Sequence, residues 1–267
     1  FNKFNNINFP KRKILYTNLI ENLRYGENPH QLGAFYSQNK KNKLEQIHGK
    51  TLSYNNYNDI LAAITISKSL PKNIGTVIVK HGNPCGVSAL KNNLDSYKSA
   101  LETDPISAFG GIVSCNYRVT QKLAFMLNKI FLEVIVANGF DKKALKILKS
   151  KKNLRLIDSS KISFGEVWKF NSLDNFTLMQ SEDKKIFSKK DFRIVSKKKP
   201  NKSQLDNLMF SFNVCRYTKS NAIVLASNKS TIGIGSGQPS RLDSCEIAIN
   251  KMKKFSKNKN EIVAASD

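Results

Sequence analysis

The chain has no run of roughly 18 uncharged apolar residues, so its sequence offers no transmembrane helix. Its first residues, FNKFNNINFPKRK, lack the apolar stretch and small-residue cleavage site of a secretory signal. Cysteine is scarce: Cys85, Cys115, Cys215 and Cys245 stand far apart, and no two form a CxxC pair. That spacing supplies neither a disulfide framework nor a structural zinc pattern, and reduced thiols in a cytoplasmic protein are the natural reading. The dinucleotide fingerprint GxGxxG and the phosphate loop GxxxxGK[ST] are both absent. Acidic residues are few, 20 against 44 basic ones, which leaves a net charge of +24. A charge of that size admits an acidic partner or a compositional bias. Arginine occurs only seven times, although its planar fork is what phosphate and base recognition favour. The surplus is lysine and asparagine spread along the whole chain, and it reads as a solvated surface shaped by AT-rich coding. A basic nucleic-acid-binding module is the alternative class. Against it, the aromatics are not interleaved with arginines and no binding motif of that kind occurs.

What is present suits a globular protein. With 267 residues, 40% of them hydrophobic, the chain can bury about three-quarters of its unfolded surface as one large or two small domains. It begins at Phe1 and ends at Ala-Ser-Asp267, and reads as a piece of a longer polypeptide. Residues 1–22 form a basic lead-in. GAFYS (33–37) reads as a strand. The apolar spacing of Ile60, Leu61, Ile64 and Leu70 predicts a helix from Asn58 to about Leu70, capped by Asn56 or Asn58 and ended by Pro71. Strands are expected at 76–80, 112–115, 133–137 and 154–157, and helices at 92–101, 119–130 and 141–150. Residues 158–202 are polar and lysine-rich, a variable connecting segment. Beyond them follow a helix at 202–215, strands at 222–226 and 231–234, a helix at 240–252, a lysine/asparagine loop at 253–260 and a strand opened by Ile262. Alternating strands and helices predict an α/β architecture with a largely buried sheet, in two halves, 23–157 and 203–267. No residue-level repeat relates the two.

Four segments concentrate chemistry. In LRYGENPHQ (23–31), Arg24 and Tyr25 flank a Gly/Pro loop and suit a phosphate; an ordinary polar turn is the competing reading. KHGNPCG (80–86) follows a buried strand, where ligands of α/β sheets gather. Lys80 there supplies a fixed positive charge and His81 a group that titrates near neutrality, a pairing suited to an oxyanion and a moving proton. Pro84-Cys85 resembles the zinc deaminases, but their second cysteine is replaced by Ser88 and no HxE precedes it, which disfavours a catalytic zinc. DPISAFGGI (104–112) carries Phe109, able to cover a planar ring, beside the Gly110-Gly111 pair that permits close backbone approach. KSNAIV (219–224) and GIGSGQPSR (233–241) bring Asn221, Gly235, Gly237 and Gln238 to a strand-to-helix turn. That turn either holds an anion or cofactor tail or is purely structural.

Taken in order, LRYGENPHQ, KTLSYNNYND, VKHGNPCGV, DPISAFGGI, EVIVANGF, KKNLRLI, KSNAIV and GIGSGQPSRLDS resemble the transformylase domain of the phosphoribosylaminoimidazolecarboxamide formyltransferase / IMP cyclohydrolase family. They span residues 23 to 244. The resemblance implies a duplicated cytidine-deaminase-like α/β fold without zinc. It implies formyl transfer from 10-formyltetrahydrofolate, as co-substrate, to the 5-amino group of AICAR, and it leaves potassium dependence open. By motif, Lys80, His81 and Asn221 take the catalytic positions. Arg24, Tyr25, Phe109, Gly110 and Glu133 take nucleotide-binding positions, and Gly235, Gly237 and Gln238 a folate or structural loop. A homodimer with the site across its interface is implied, and neither a nucleic acid nor a membrane is an expected partner. Asn138 stands where the family usually has proline. The resemblance also implies a cyclohydrolase domain before this region and a further subdomain after it, and hence a catalytically incomplete piece.

Overall fold

The computed structural model describes residues 9–38, 44–162, 168–256 and 260–267. The start of the lead-in, part of the 158–202 segment and most of the lysine/asparagine loop therefore lie outside the described residues. The first elements are β1 (Asn18–Leu23), β2 (Gly33–Ser37), β3 (Glu45–His48), α1 (Tyr54–Ser69), β4 (Thr76–Lys80), β5 (Asn83–Ser88) and α2 (Asn93–Thr103). Next come α3 (Pro105–Ala108), β6 (Ile112–Cys115), α4 (Gln121–Leu127), β7 (Val134–Ala137), α5 (Lys142–Leu148) and β8 (Arg155–Asp158). The last are β9 (Trp168–Leu173), β10 (Phe176–Ser181), α6 (Lys202–Cys215), β11 (Ile223–Ser227), β12 (Ser230–Gly235), α7 (Arg241–Phe255) and β13 (Val263–Ser266).

Nine strands make one sheet in the order β13-β11-β12-β5-β4-β6-β7-β8-β3. Only β6–β7 and β7–β8 run parallel. The central strands are apolar at successive positions because both faces are covered. Val77, Val79, Val87, Val134 and Val136 pack with Ile60 and Ile64 of α1 and Val214 of α6. Ile78, Val113 and Ile135 pack on the other face with Tyr97 of α2, Leu123 of α4 and Leu148 of α5. Ile223, Leu225 and Ile232 meet Ala248 of α7. Each such side chain, fully buried, contributes about 1.5–3 kcal/mol relative to exposure, so the sheet forms a rigid floor for the loops at its ends. The α/β class with a mixed sheet flanked by helices agrees with the sequence. No helix among the described residues is long and apolar enough to cross a membrane.

The order α1-β4-β5-α2-β6 recurs as α6-β11-β12-α7-β13. In each set the last strand pairs antiparallel with the first of the hairpin, β6 with β4 and β13 with β11. The two sets meet where β5 lies beside β12, with Ser88 opposite Ser230 and their hydroxyls 2.8 Å apart. Aligned by element, the two sets place the same residue types at a few matching positions. Leu94-Asp95-Ser96 and Ala100 of α2 match Leu242-Asp243-Ser244 and Ala248 of α7. Both helices lie close on a strand glycine: a Cβ at Gly86 would stand 1.8 Å from the Ala100 carbonyl oxygen, and one at Gly233 2.1 Å from that of Ala248.

Several boundaries differ from expectation. Helix α1 starts at Tyr54 rather than Asn58, and its cap is Ser53. The Ser53 hydroxyl accepts from the Asn56 N–H, and the Asn56 side chain accepts from the Ser53 N–H. This reciprocal pair satisfies two otherwise orphaned donors and overrides the weak helix preference of the Asn-rich first turn. The 104–111 loop contains the one-turn α3, capped by Asp104, which accepts from Ser107 N at 3.0 Å. The segment 168–181 forms a separate, largely exposed hairpin of β9 and β10.

Candidate active site

Strand β4 delivers Lys80 and His81 to its end and turns back at once into β5. His81 (φ 52°) and Gly82 (φ 72°) are both left-handed, the combination a two-residue hairpin turn requires. The expected loop over 81–86 is thus only two residues long. Asn83 onward is strand, and Pro84 is tolerated because the β4–β5 register shifts between Ile78 and Val79. Asp59, in the second turn of α1, receives both turn amides: His81 N–H donates to Oδ2 at 3.2 Å and Gly82 N–H to Oδ1 at 2.6 Å. Burial pushes the Asp59 carboxyl above its ordinary range; these hydrogen bonds and nearby His81 pull the other way, and Glu133 adds a small upward push.

Lys80 reaches the segment singled out at 104–112. Its Nζ donates to the Phe109 carbonyl at 2.7 Å, which leaves ammonium donors for a ligand. The exposed Phe109 ring leans on Phe131, centroids 5.3 Å apart. Gly110 (φ 71°) donates its N–H to the Phe131 carbonyl at 2.9 Å. On the other side Asn83 bridges the hairpin to the second half: its Nδ2 donates to the His81 carbonyl at 3.2 Å, and its Oδ1 accepts from Lys219 N–H at 3.1 Å. Two residues on, Asn221 donates through Nδ2 to the carbonyls of Gln238 (3.0 Å) and Pro239 (2.8 Å) and accepts from Arg241 Nη2 at 2.9 Å. Gly237 N–H donates to the Lys219 carbonyl at 2.7 Å. Gly235 ends β12 beneath Ser244 of α7. Lys80, His81, Phe109, Gly110, Asn221, Gly237 and Gln238 are therefore joined by a short series of direct contacts.

Glu133, just before β7, accepts from Asn56 Nδ2 at 2.8 Å and lies 3.6 Å from Arg155 Nη1. The Arg24–Tyr25 loop connects β1 to β2. That ribbon is pinned to α1 by stacking of Phe35 on Tyr57 at 4.1 Å and by the Tyr57 hydroxyl donating to Glu21 at 2.9 Å. Asn55 Nδ2 donates to the Glu27 carbonyl at 3.3 Å. Among the described contacts Arg24 lies over its neighbour Tyr25, guanidinium carbon to ring centroid 5.7 Å, and neither touches the His81 turn. The first turns of α1 thus hold three segments through Asn55, Asn56 and Asp59. The sequence reading quoted KTLSYNNYND but gave its residues no part in the site beyond a capping role for Asn56 or Asn58. The signal lay in polar residues spaced three apart, Asn56 and Asp59, on a helix whose next turns bury Ile60, Ala63 and Ile64. Arg241 was missed as well, although it stands in a quoted block.

Among the described residues no three His, Cys, Asp or Glu side chains converge. Burial pushes the thiols of Cys85 and Cys115 up to about 12. Ser88, at the position of the deaminases' second cysteine, is committed to Ser230 and lies at the junction of the two halves.

Residues 1–251 match the sequence profile of the AICARFT/IMPCHase bienzyme family. The bifunctional purine biosynthesis protein PurH of Acetivibrio thermocellus is 42% identical over 250 residues, which cover 90% of this chain and 48% of that protein. Those of Thermoanaerobacter sp. and Aquifex aeolicus are 40% and 38% identical, over 98% and 97% of this chain and 51% of each relative. The chain belongs to the AICARFT/IMPCHase bienzyme family. It spans about half the length of the curated relatives it matches.

Proposed function

We propose that this site transfers the formyl group of 10-formyltetrahydrofolate to the 5-amino group of AICAR, within purine biosynthesis. The observation that carries the reading is the His81 hairpin, set beside the Phe109–Gly110 turn by Lys80 and beside the Asn221 segment by Asn83, in a chain of this family. The amine nitrogen attacks the formyl carbon and loses a proton to His81 as the carbon–N10 bond breaks; N10 of the folate then takes up a proton. Lys80 stabilises the charge that develops on the formyl oxygen, the kind of fixed donor that contributes most when water is excluded. Asn221 orients the reacting groups. Arg24, Tyr25, Phe109, Gly110 and Glu133 bind the nucleotide, and the turn of Gly235, Gly237 and Gln238 borders the folate. Cyclisation of the product to IMP falls to sequence other than these residues.

Two finer points belong to the same reading. The recurrence of α-β-β-α-β, with LDS and a helix-facing glycine in both sets, supports a duplicated cytidine-deaminase-like fold. The exposed aromatic pair Phe109–Phe131 beside Lys80 supports a homodimer whose site forms across the interface. The test supplies the full-length polypeptide carrying this chain with AICAR and 10-formyltetrahydrofolate and follows tetrahydrofolate release. Release that requires both substrates is the expected result. Release without AICAR, or none at all from a folded, AICAR-binding protein, overturns the reading.

A further inference from the structure

We propose that Asp59 is a positioning residue for His81, its two carboxylate oxygens fixing the direction of the His81 side chain through the backbone of the turn. The inference rests on the formyl-transfer reading. The molecule contains its own comparison. The second hairpin turn, Asn228-Lys229, has the same left-handed pair (φ 47° and 52°) and is likewise held by a side chain from the preceding helix, α6. There a neutral amide suffices: Asn207 Oδ1 accepts from Lys229 N–H at 2.8 Å. The first turn instead receives a carboxylate whose two oxygens accept from two consecutive N–H groups, at 3.2 and 2.6 Å. Charge-assisted bonds of this kind are roughly twice as strong as neutral ones. The arrangement also carries a cost that the second turn avoids, because Asp59 is partly desolvated and lies near the like-charged Glu133. Closing a hairpin does not need that charge; holding His81 at a fixed place does. With both amides clamped, the Cα–Cβ bond of His81 has one direction, and a misplacement of about 1 Å in such a group costs roughly 10²-fold in rate.

The experiment compares Asp59→Ala and the near-isosteric Asp59→Asn with the unaltered full-length polypeptide. It measures kcat and the KM for AICAR, and amide hydrogen exchange at His81 and Gly82. The expected result is a kcat roughly 10²-fold lower in Asp59→Ala, a smaller loss in Asp59→Asn, which keeps one acceptor as Asn207 does, and a KM nearly unchanged. Exchange at the two amides should quicken in the same order, Ala above Asn, while the circular-dichroism melting curve of Asp59→Asn stays close to that of the parent. An unchanged kcat in folded Asp59→Ala, a loss that tracks only the unfolded fraction, or unchanged exchange at both amides overturns the inference. If the unaltered protein transfers no formyl group, the functional reading fails, and the exchange measurement still decides whether Asp59 holds the turn.

Discussion

Asn83 carries two bonds at the meeting of the two halves. It donates to the carbonyl of His81 and accepts from the N–H of Lys219. A net hydrogen bond contributes about 1 kcal/mol, so Asn83→Ala should lower unfolding free energy by about 1–2 kcal/mol, read from the urea midpoint. Turnover should fall further than stability alone explains, because the His81 turn and the segment from Lys219 to Asn221 lose the side chain that joins them. An unmoved midpoint would show that the bridge is not formed in solution. Asn83 stood inside a segment the sequence singled out, yet its role was not legible there. Residue type marked Lys80 and His81 as chemically able, whereas the bridging role depends on Lys219, 136 residues away.

Helix α1 decides how three remote segments approach one another, because Asn55, Asn56 and Asp59 project from its first turns. Its start is set by the Ser53 cap. Ser53→Ala should cost about 1 kcal/mol, measured by chemical denaturation, and should speed amide exchange in residues 54–57; a midpoint equal to the parent's would mean that packing alone sets the start. Elements of this kind were unevenly legible. Strand β4 and helix α6 could be read directly, since a buried β-branched run and a 3.6-residue apolar period leave few alternatives. The beginning of α1 could not, because Asn58 and Ser53 are both acceptable caps and only the return bond from Asn56 separates them. Strands β1 and β3 were missed altogether: they are short and half-exposed, and their pairing comes from β2 and β8 rather than from their own composition.

At the scale of the whole molecule, the β5–β12 contact, side-chain hydrogen bonds such as that of Thr103 to Thr231, and an ion pair tie the two halves together. Asp104, almost fully buried at the cap of α3, meets Lys251 of α7 at 2.8 Å. Burial alone would raise the Asp104 carboxyl, but its bonds to Lys251 and Ser107 outweigh burial and hold it below the ordinary range. A carboxyl lowered in this way stabilises the fold above its unfolded value of about 3.9, and the contribution fades as pH falls through the folded value. Asp104→Asn should therefore cost about 3 kcal/mol near neutrality, the low end for a broken buried pair, because Lys251 keeps partial access to water. The stability gap between the two proteins should narrow on acidification below about pH 4; a gap independent of pH would remove the pair from the account. All of this scaffold serves one claim, that the sheet end presents His81 as the group that moves the amine proton. The most direct measurement is formyl transfer by the full-length polypeptide with His81→Ala, alongside direct binding of AICAR. The account predicts kcat lower by about 10²–10⁴ with AICAR affinity little changed, and near-normal turnover in that variant would contradict it.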